Sequence, residues 1–203
     1  EEILKTFDLF VVVSYGKIIP KEILDLPRLG TINIHPSLLP LYRGPSPIVT
    51  PILNGDTETG VTIIKIDEEM DHGPILAQEK INLSGDEFIW DLEKSLAELG
   101  GKLLVETIPK FIAGQVQLKE QDHNKATYVK KIKKEDGLID LEDDAVKNYN
   151  KFRAYASWPR TFFFKNGKRI IITKASLENN QFIIEKVLPE GKKEITWTEF
   201  NKN

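Results

Sequence analysis

An amide and an imidazole lie two residues apart in segment 33–40 of this 203-residue chain. The residues before them predict a strand over 30–35, and side chains two apart on a strand point to the same face. Asn33 and His35 would therefore converge at the carboxyl end of that strand, where ligands of open α/β sheets generally bind. The pair could donate hydrogen bonds to a carbonyl oxygen, with the histidine as general acid or base. A polar strand end without catalytic function is the alternative.

A second group of candidate residues lies in the acidic loop 67–73, between two predicted strands. A carboxylate from this loop could pair with His35, raise the pKa of the imidazole and hold its orientation. Glu68 and Glu69 fit a solvated turn better, because runs of charge usually face water. The histidines have no spacing typical of metal ligands, so we expect no metal site.

Composition excludes several classes of protein. The chain has 28 Lys and Arg against 31 Asp and Glu, a net charge of −3, which excludes a strongly basic nucleic-acid binder but not a local basic stretch. The absence of cysteine excludes disulfide frameworks, thiolate nucleophiles and Cys-based zinc sites. No apolar run approaches the ~20 residues that span a bilayer, and no signal segment opens the chain. We therefore expect a cytoplasmic protein with no membrane partner.

The elements that must position the candidate residues alternate between strands and helices, which predicts an α/β sheet. A helix end over 1–6 and a short helix over 20–24 flank the first strand, which we expect to be buried on both faces of a parallel sheet. The loop 36–51 carries five prolines and is expected to be irregular. The predicted strands are 9–13, 30–35, 59–66 and 74–81.

The rest of the chain predicts helices, a linker and a β-rich module. Ser84 stands where a helix N-cap would, and the following apolar positions predict two helices interrupted at Gly100-Gly101. Segment 114–134 is polar, and we interpret it as a linker. Beyond it we predict a helix over 144–155 and strands around Gly and Asn turns over 160–173 and 181–187, with a short connection at 175–181.

Four motifs in order make the chain resemble the folate-dependent formyltransferase family: residues 14–20, 33–44, 58–62 and 70–75. The resemblance covers roughly residues 7–113 and continues in 134–140, Arg153-Ala154 and Trp158-Pro159, which are typical of the branch that acts on tRNA. It implies a Rossmann-like formyltransferase domain without its N-terminal strands, followed by a small, abbreviated OB-like β-barrel. The expected domains are the catalytic domain 1–113, a basic linker 114–134 and a β-rich domain 135–203.

The resemblance also implies a reaction and its residues. The family transfers the formyl group of 10-formyltetrahydrofolate to an amine, here by implication the α-amino group of methionine on initiator tRNA, in translation initiation. The catalytic positions match Asn33, His35 and Asp71, with the first two stabilising the formyl oxygen and Asp71 helping to move the amine proton. The folate-binding stretches match Ser37, Leu38, Leu39 and Pro40, and Tyr15, Gly16 and Ile18.

The resemblance also implies tRNA and folate as binding partners, and several alternatives remain open. Candidate tRNA contacts are Arg43, which could instead hold its loop, and the lysines Lys125, Lys130, Lys131, Lys133 and Lys134, which could instead belong to a solvated linker. A sugar-amine formyltransferase of the same family and a non-catalytic folate-binding fragment are the alternative functions. We expect folate as cosubstrate, no metal, and a monomer.

Overall fold

The computed structural model describes residues 2–202, and the chain divides into two compact units. The first unit consists of the chain up to Ile48, Thr57–Leu83 and Leu92–Lys131. The second consists of Val49–Asp56, Ser84–Asp91 and the chain from Ile132 onward. Residue 1, where a helix end is predicted, lies outside the described residues, and a 3₁₀ helix spans Glu2–Thr6.

Eight strands and five α-helices form the described chain. The strands are β1 Phe10–Val12, β2 Thr31–His35, β3 Glu58–Lys65, β4 Ile75–Asn82, β5 Phe162–Lys165, β6 Lys168–Glu178, β7 Gln181–Pro189 and β8 Ile195–Thr196. The helices are α1 Lys21–Leu24, α2 Val49–Asn54, α3 Ile89–Ile112, α4 Ala145–Ala154 and α5 Trp197–Asn201.

The sheet of the first unit has the order β1-β2-β3-β4. Strand β1 runs parallel to β2, whereas the other neighbours are antiparallel, so the predicted α/β fold is confirmed with a mixed sheet. The prediction that β1 is buried on both faces is wrong. Val11 is 40% exposed whereas Phe10 and Val12 are partly buried, so one face of β1 is open.

Helix α3 packs on this sheet without the predicted interruption. Leu103 is buried against Ile32 and Ile63 of the sheet. A Cβ at Gly100 would lie 3.1 Å from Ile34 Cγ2, so the glycine permits close contact between helix and sheet rather than ending the helix. The predicted start is also wrong: Ser84 bonds to the Glu87 carboxylate in a separate turn, and the helix begins at Ile89.

The proline-rich stretch is less irregular than expected. It ends in helix α2, which contains Pro51 in its first turn. A proline is tolerated there because the first backbone N–H groups of a helix have no partner within it.

The second unit contains an open antiparallel sheet of order β5-β6-β7-β8. Its hairpins turn at Asn166-Gly167 and Asn179-Asn180, where all four residues have positive φ, as type I′ turns require. Strand β6 reaches Glu178, so the predicted connection at 175–181 is wrong and most of it is strand. Buried Phe152 of α4 and Phe163 and Val187 of the sheet form the core.

No helix within residues 2–202 has the length and apolar character needed to cross a membrane.

Candidate functional site

The end of strand β2 positions the first two candidate residues. Ile32 is fully buried and packs toward α3, and the alternation of a strand places Asn33 and His35 together on the opposite face. Pairing with β3 sets their register, with Asn33 opposite Ile64 and His35 opposite Thr62. The shared face that the spacing predicts is therefore present.

His35 is held as a neutral imidazole with one open nitrogen. The ring is 4% exposed, and Nε2 donates to the Tyr42 carbonyl over 3.1 Å. Burial lowers the pKa of His35 from its ordinary value of 6.5, and nearby Arg43 adds to this, against opposing effects of Asp71 and the Tyr42 carbonyl. The sequence predicts the opposite direction because it shows the carboxylate but not the burial. With its proton on Nε2, neutral His35 presents the lone pair of Nδ1.

Asp71 faces that open nitrogen. Its Oδ1 lies 3.5 Å from His35 Nδ1, beyond the N–H···O range of about 2.7–3.2 Å, so two proton acceptors face one gap. The Gly44 N–H donates to Asp71 Oδ2 over 2.8 Å. Asp71 has a φ of 52°, in the left-handed region. The loop thus brings Asp71 to His35, as expected from the sequence.

The remaining residues of the acidic loop have other contacts. Glu68 and Glu69 are exposed, and Glu68 pairs with Lys21 over 2.9 Å. Asp67 Oδ2 lies 2.7 Å from His72 Nδ1. Among residues 2–202, no group of three or more His, Asp or Glu side chains is arranged to hold a metal ion.

The candidate folate-binding stretch is fixed by internal hydrogen bonds. Ser37 is fully buried and its hydroxyl donates to the Leu41 carbonyl over 2.6 Å. Leu39 is 3% exposed, its N–H donates to Thr62 Oγ1 and its carbonyl accepts from Gln78. Ser37 and Leu39 therefore shape the loop, and partly exposed Leu38 and Pro40 are the members that can contact a ligand.

The second candidate stretch is exposed. Tyr15 is 59% and Ile18 95% exposed, and Gly16 has a φ of 69° in the turn between them. A cavity of about 370 Å³ lies in the first unit, within the usual range of ligand pockets. Its lining does not include this stretch and was not predicted: it consists of Lys21, Leu24, Asp25 and residues 66–69.

Arg43 points into the protein. It is 1% exposed, and its guanidinium donates to Gln121 Oε1, contacts His123 Nδ1 over 2.9 Å and donates to the Tyr128 hydroxyl. These contacts occupy it within the first unit, so the geometry favours the loop-holding alternative over a phosphate contact.

The five lysines expected to meet tRNA are exposed. Lys125 pairs with Asp122 over 3.1 Å with its side chain still 76% exposed. Lys130 and Lys131 also belong to the first unit, whereas Lys133 and Lys134 belong to the second.

Three polar residues of the site are missing from the sequence-based set: buried Thr62 and Gln121, and exposed Gln78. Thr62 is foreseeable, because the paired strands place it opposite His35. Gln78 is exposed on β4, as is Lys80 two residues later, so it resembles any outward polar position. Gln121 is 5% exposed in a segment whose low apolar content predicts a linker, since polar side chains rather than apolar ones bury it.

Comparison with known proteins gives this geometry a family context. The family model "Formyl transferase" matches residues 4–108, and "Formyl transferase, C-terminal domain" matches residues 131–183. A methionyl-tRNA formyltransferase of Chloroflexus aggregans is 45% identical over 170 residues, 84% of this chain and 55% of that protein. One from Thermotoga maritima is 51% identical over 152 residues, 75% of this chain and 49% of that protein. The chain thus spans about half the length of the curated relatives it matches.

Solved structures share the fold. HypX from Aquifex aeolicus in complex with tetrahydrofolic acid has a TM-score of 0.77 at 19% identity, covering 98% of this chain and 39% of that one. The sugar 3N-formyl transferase WlaRD has a TM-score of 0.72 at 22% identity, covering 94% and 77%. A methionyl-tRNA formyltransferase from Clostridium thermocellum has a TM-score of 0.69 at 25% identity, covering 90% and 77%.

Proposed function

Because the chain belongs to the formyl transferase family, we propose that it transfers the formyl group of 10-formyltetrahydrofolate to the α-amino group of methionyl-initiator tRNA. The observation that carries this proposal is the convergence of Asn33, His35 and Asp71 at the end of β2. One amide donor and two facing proton acceptors suit a reaction in which an oxygen gains negative charge while an amine loses a proton.

The choice of acceptor rests on sequence identity. The two methionyl-tRNA formyltransferases above share 45% and 51% identity with this chain, whereas the sugar 3N-formyl transferase shares 22% and supports the fold alone. The motifs at 134–140 and Trp158-Pro159 point in the same direction. We therefore place the tRNA acceptor first and the sugar amine second.

The proposed chemistry begins with attack of the neutral amine on the formyl carbon. A new N–C bond forms, and the formyl oxygen takes up negative charge. The Asn33 amide donates a hydrogen bond to that oxygen, which is the interaction that strengthens as charge develops.

His35 accepts the proton in this scheme, instead of sharing the oxygen with Asn33 as the resemblance implies. Its Nε2–H is committed to the Tyr42 carbonyl, so the neutral ring offers a lone pair at Nδ1. The amine proton moves to Nδ1, and the Asp71 carboxylate stabilises the imidazolium across the gap. The proton then passes to the nitrogen of tetrahydrofolate as its bond to the formyl carbon breaks.

The folate cosubstrate would be held by the loops around this centre. Leu38 and Pro40 offer apolar contact on a loop that Thr62 keeps rigid, and Tyr15, Gly16 and Ile18 remain candidates on their exposed turn. We add the cavity at α1, because the Asp67 and Glu68 carboxylates in its lining can accept hydrogen bonds from the N–H groups of a pterin ring.

The remaining assignments follow from the same reaction. The exposed lysines Lys125, Lys130, Lys131, Lys133 and Lys134 are the proposed phosphate contacts. The catalytic domain is proposed to span 1–113, followed by the basic segment 114–134 and the β-rich domain 135–203. Asn33, His35 and Asp71 come from one chain, so we propose that a monomer acts, and a step of translation initiation places it in the cytoplasm.

A formyl-transfer assay tests the proposal. The protein expressed from its complete reading frame is given 10-formyltetrahydrofolate with either methionyl-initiator tRNA or a nucleotide-linked sugar amine. We expect formyl methionyl-tRNA as product, with turnover lowered at least about 10²–10³-fold by Asn33→Ala. Transfer to the sugar amine alone would replace the acceptor, and folate binding without transfer to either would support a non-catalytic role.

A further inference from the structure

The side chain of Gln121 holds the backbone on both sides of His72. Its Nε2 donates to the Asp71 carbonyl over 3.0 Å and to the Gly73 carbonyl over 2.8 Å. Its Oε1 accepts from Arg43 Nε over 3.2 Å and Nη2 over 2.7 Å. A guanidinium can only donate, so the orientation of the amide is fixed, and both its hydrogens and its oxygen are used.

The backbone that Gln121 holds has a conformation that other contacts must maintain. Asp71 has a φ of 52°, which a residue with a Cβ rarely adopts unless its surroundings require it. Two residues later the chain passes close to β3, where a Cβ at Gly73 would lie 1.8 Å from the Lys65 carbonyl oxygen. Between them, the His72 ring stacks on His123 with centroids 4.0 Å apart.

Arg43 links this backbone tether to the Asp71 carboxylate. Its guanidinium anchors Gln121, and its own backbone is fixed by bonds to Thr127 and Val129. The next residue, Gly44, donates its N–H to Asp71 Oδ2 over 2.8 Å. Asp71 is therefore held twice from one place in the chain, at its carbonyl through Gln121 and at its carboxylate through Gly44.

We propose that Gln121 is a positioning residue for formyl transfer, which fixes the Asp71 backbone so that the carboxylate faces His35, with Arg43 as its anchor. The inference rests on the proposed function in taking Asp71 as part of the reacting group. It gives a function to Gln121 in the polar segment 114–134, where neither the motifs nor the hydrophobic pattern identifies a functional side chain.

The variant Gln121→Glu tests the proposal. A carboxylate retains shape and still accepts from Arg43, but it places an acceptor against the two carbonyls and loses both donors. We expect kcat to fall about 10²-fold, as for a misplacement of reacting groups by about 1 Å, while KM for both substrates stays near that of the unchanged protein. The matched control is Gln117→Glu, the same exchange at an exposed position of the same segment, which we expect to leave kcat unchanged.

Amide hydrogen exchange gives a readout that does not depend on activity. The Gly44 N–H bonds to the Asp71 carboxylate, so it should lose protection in Gln121→Glu, whereas the Leu39 N–H, bonded to Thr62, should keep it. Unchanged kcat or an unchanged Gly44 amide overturns the proposal. Loss of protection at both amides also overturns it, because Gln121 would then serve general stability.

Failure of the proposed function can be told apart from failure of this inference. If the unchanged protein transfers no formyl group, the proposed function fails, and exchange at Gly44 alone decides whether Gln121 holds Asp71. If Gln121→Glu does not fold, Arg43→Lys probes the same anchor with its charge retained, and we expect the same pattern at Gly44 and in kcat.

Discussion

The loops around His35 in the first unit and the interior of the second unit are buried by different means. The interior of the second unit is apolar and includes several aromatic contacts: Phe152 contacts Phe88 and Phe182, and Phe163 lies edge-on to Trp197 and Phe200. In the first unit, the loops around His35 are buried through polar groups. Four of these are nearly inaccessible and hydrogen-bonded to one another or to backbone: Ser37, Arg43, Thr62 and Gln121.

The difference shows what each kind of burial can do. Apolar packing is non-directional, so it stabilises a shape without fixing any one atom. A buried hydrogen-bond network is directional, and loss of one member leaves its partners unpaired in a medium without water. Fixing a carboxylate against an imidazole requires the second kind, which is where the first unit uses it.

The largest expected change in stability comes from the aromatic core. Phe152→Ala removes a buried ring and should lower the free energy of unfolding by about 3–5 kcal/mol, measured by urea titration. Phe164→Ala is the matched control: Phe164 is 58% exposed and should lose only about 0.5–1.5 kcal/mol through its edge contact with Phe162. Equal losses would contradict the assignment of Phe152 to the core.

The largest expected change in activity comes from the polar region. Asp71→Asn retains size and tolerates a positive φ, but it replaces a proton acceptor by a donor toward His35. We expect kcat to fall about 10²–10³-fold with the thermal midpoint retained. Glu58→Gln on β3, where the carboxylate pairs with exposed Lys80, is the control and should leave kcat unchanged. Near-normal turnover of Asp71→Asn would remove Asp71 from the reaction.

Strand β3 carries two buried threonine hydroxyls, of which Thr62 is hydrogen-bonded within residues 2–202 and Thr59 is not. Thr62 Oγ1 donates to the Ser37 carbonyl and accepts from Leu39 and Gln78, so Thr62→Val should cost about 1–3 kcal/mol and weaken folate binding. Thr59 Oγ1 is equally buried but bonds to no described group, so Thr59→Val should be nearly neutral. Thermal unfolding of both variants checks the contrast, and equal effects would mean that burial alone matters.

The smallest effect is a dependence on pH. Because burial lowers the pKa of His35, the unfolded chain binds a proton near pH 6.5 that the folded protein does not yet take up. Stability should therefore fall as pH decreases below 6.5, by up to about 1.4 kcal/mol per pH unit. Urea titrations at several pH values should give a flatter profile for His35→Gln, and parallel profiles would contradict a lowered pKa.

The sequence predicts well those features that depend on local spacing. Alternation along β2 places Asn33 with His35, and the Asn-Gly pair at 166–167 marks a hairpin where φ must be positive. Helix α4 begins after Asp144, whose carboxylate accepts from the Lys147 N–H as an N-cap. These features need no knowledge of distant residues.

Features that depend on distant partners are not predictable in this way. Ser84 has the residue type of an N-cap, but its hydroxyl bonds to Glu87 and the helix begins five residues later. The polarity of Gln121 suggests exposure, and its burial depends on distant partners: Arg43, 78 residues away in the chain, and the carbonyls of Asp71 and Gly73. The direction of the His35 pKa likewise depends on burial by the loop that returns over it.

The close packing at Gly100 links helix α3 to the proposed catalytic residues of β2, which lie far from it in the sequence. Ile34 stands between Asn33 and His35 and presses toward the helix, where an added Cβ would meet its Cγ2 at 3.1 Å. The backbone of α3 at Gly100 therefore helps to set the distance between the helix and strand β2. A larger residue at position 100 would press on Ile34, so we expect substitutions there to disturb Asn33 and His35, the two proposed catalytic residues beside it.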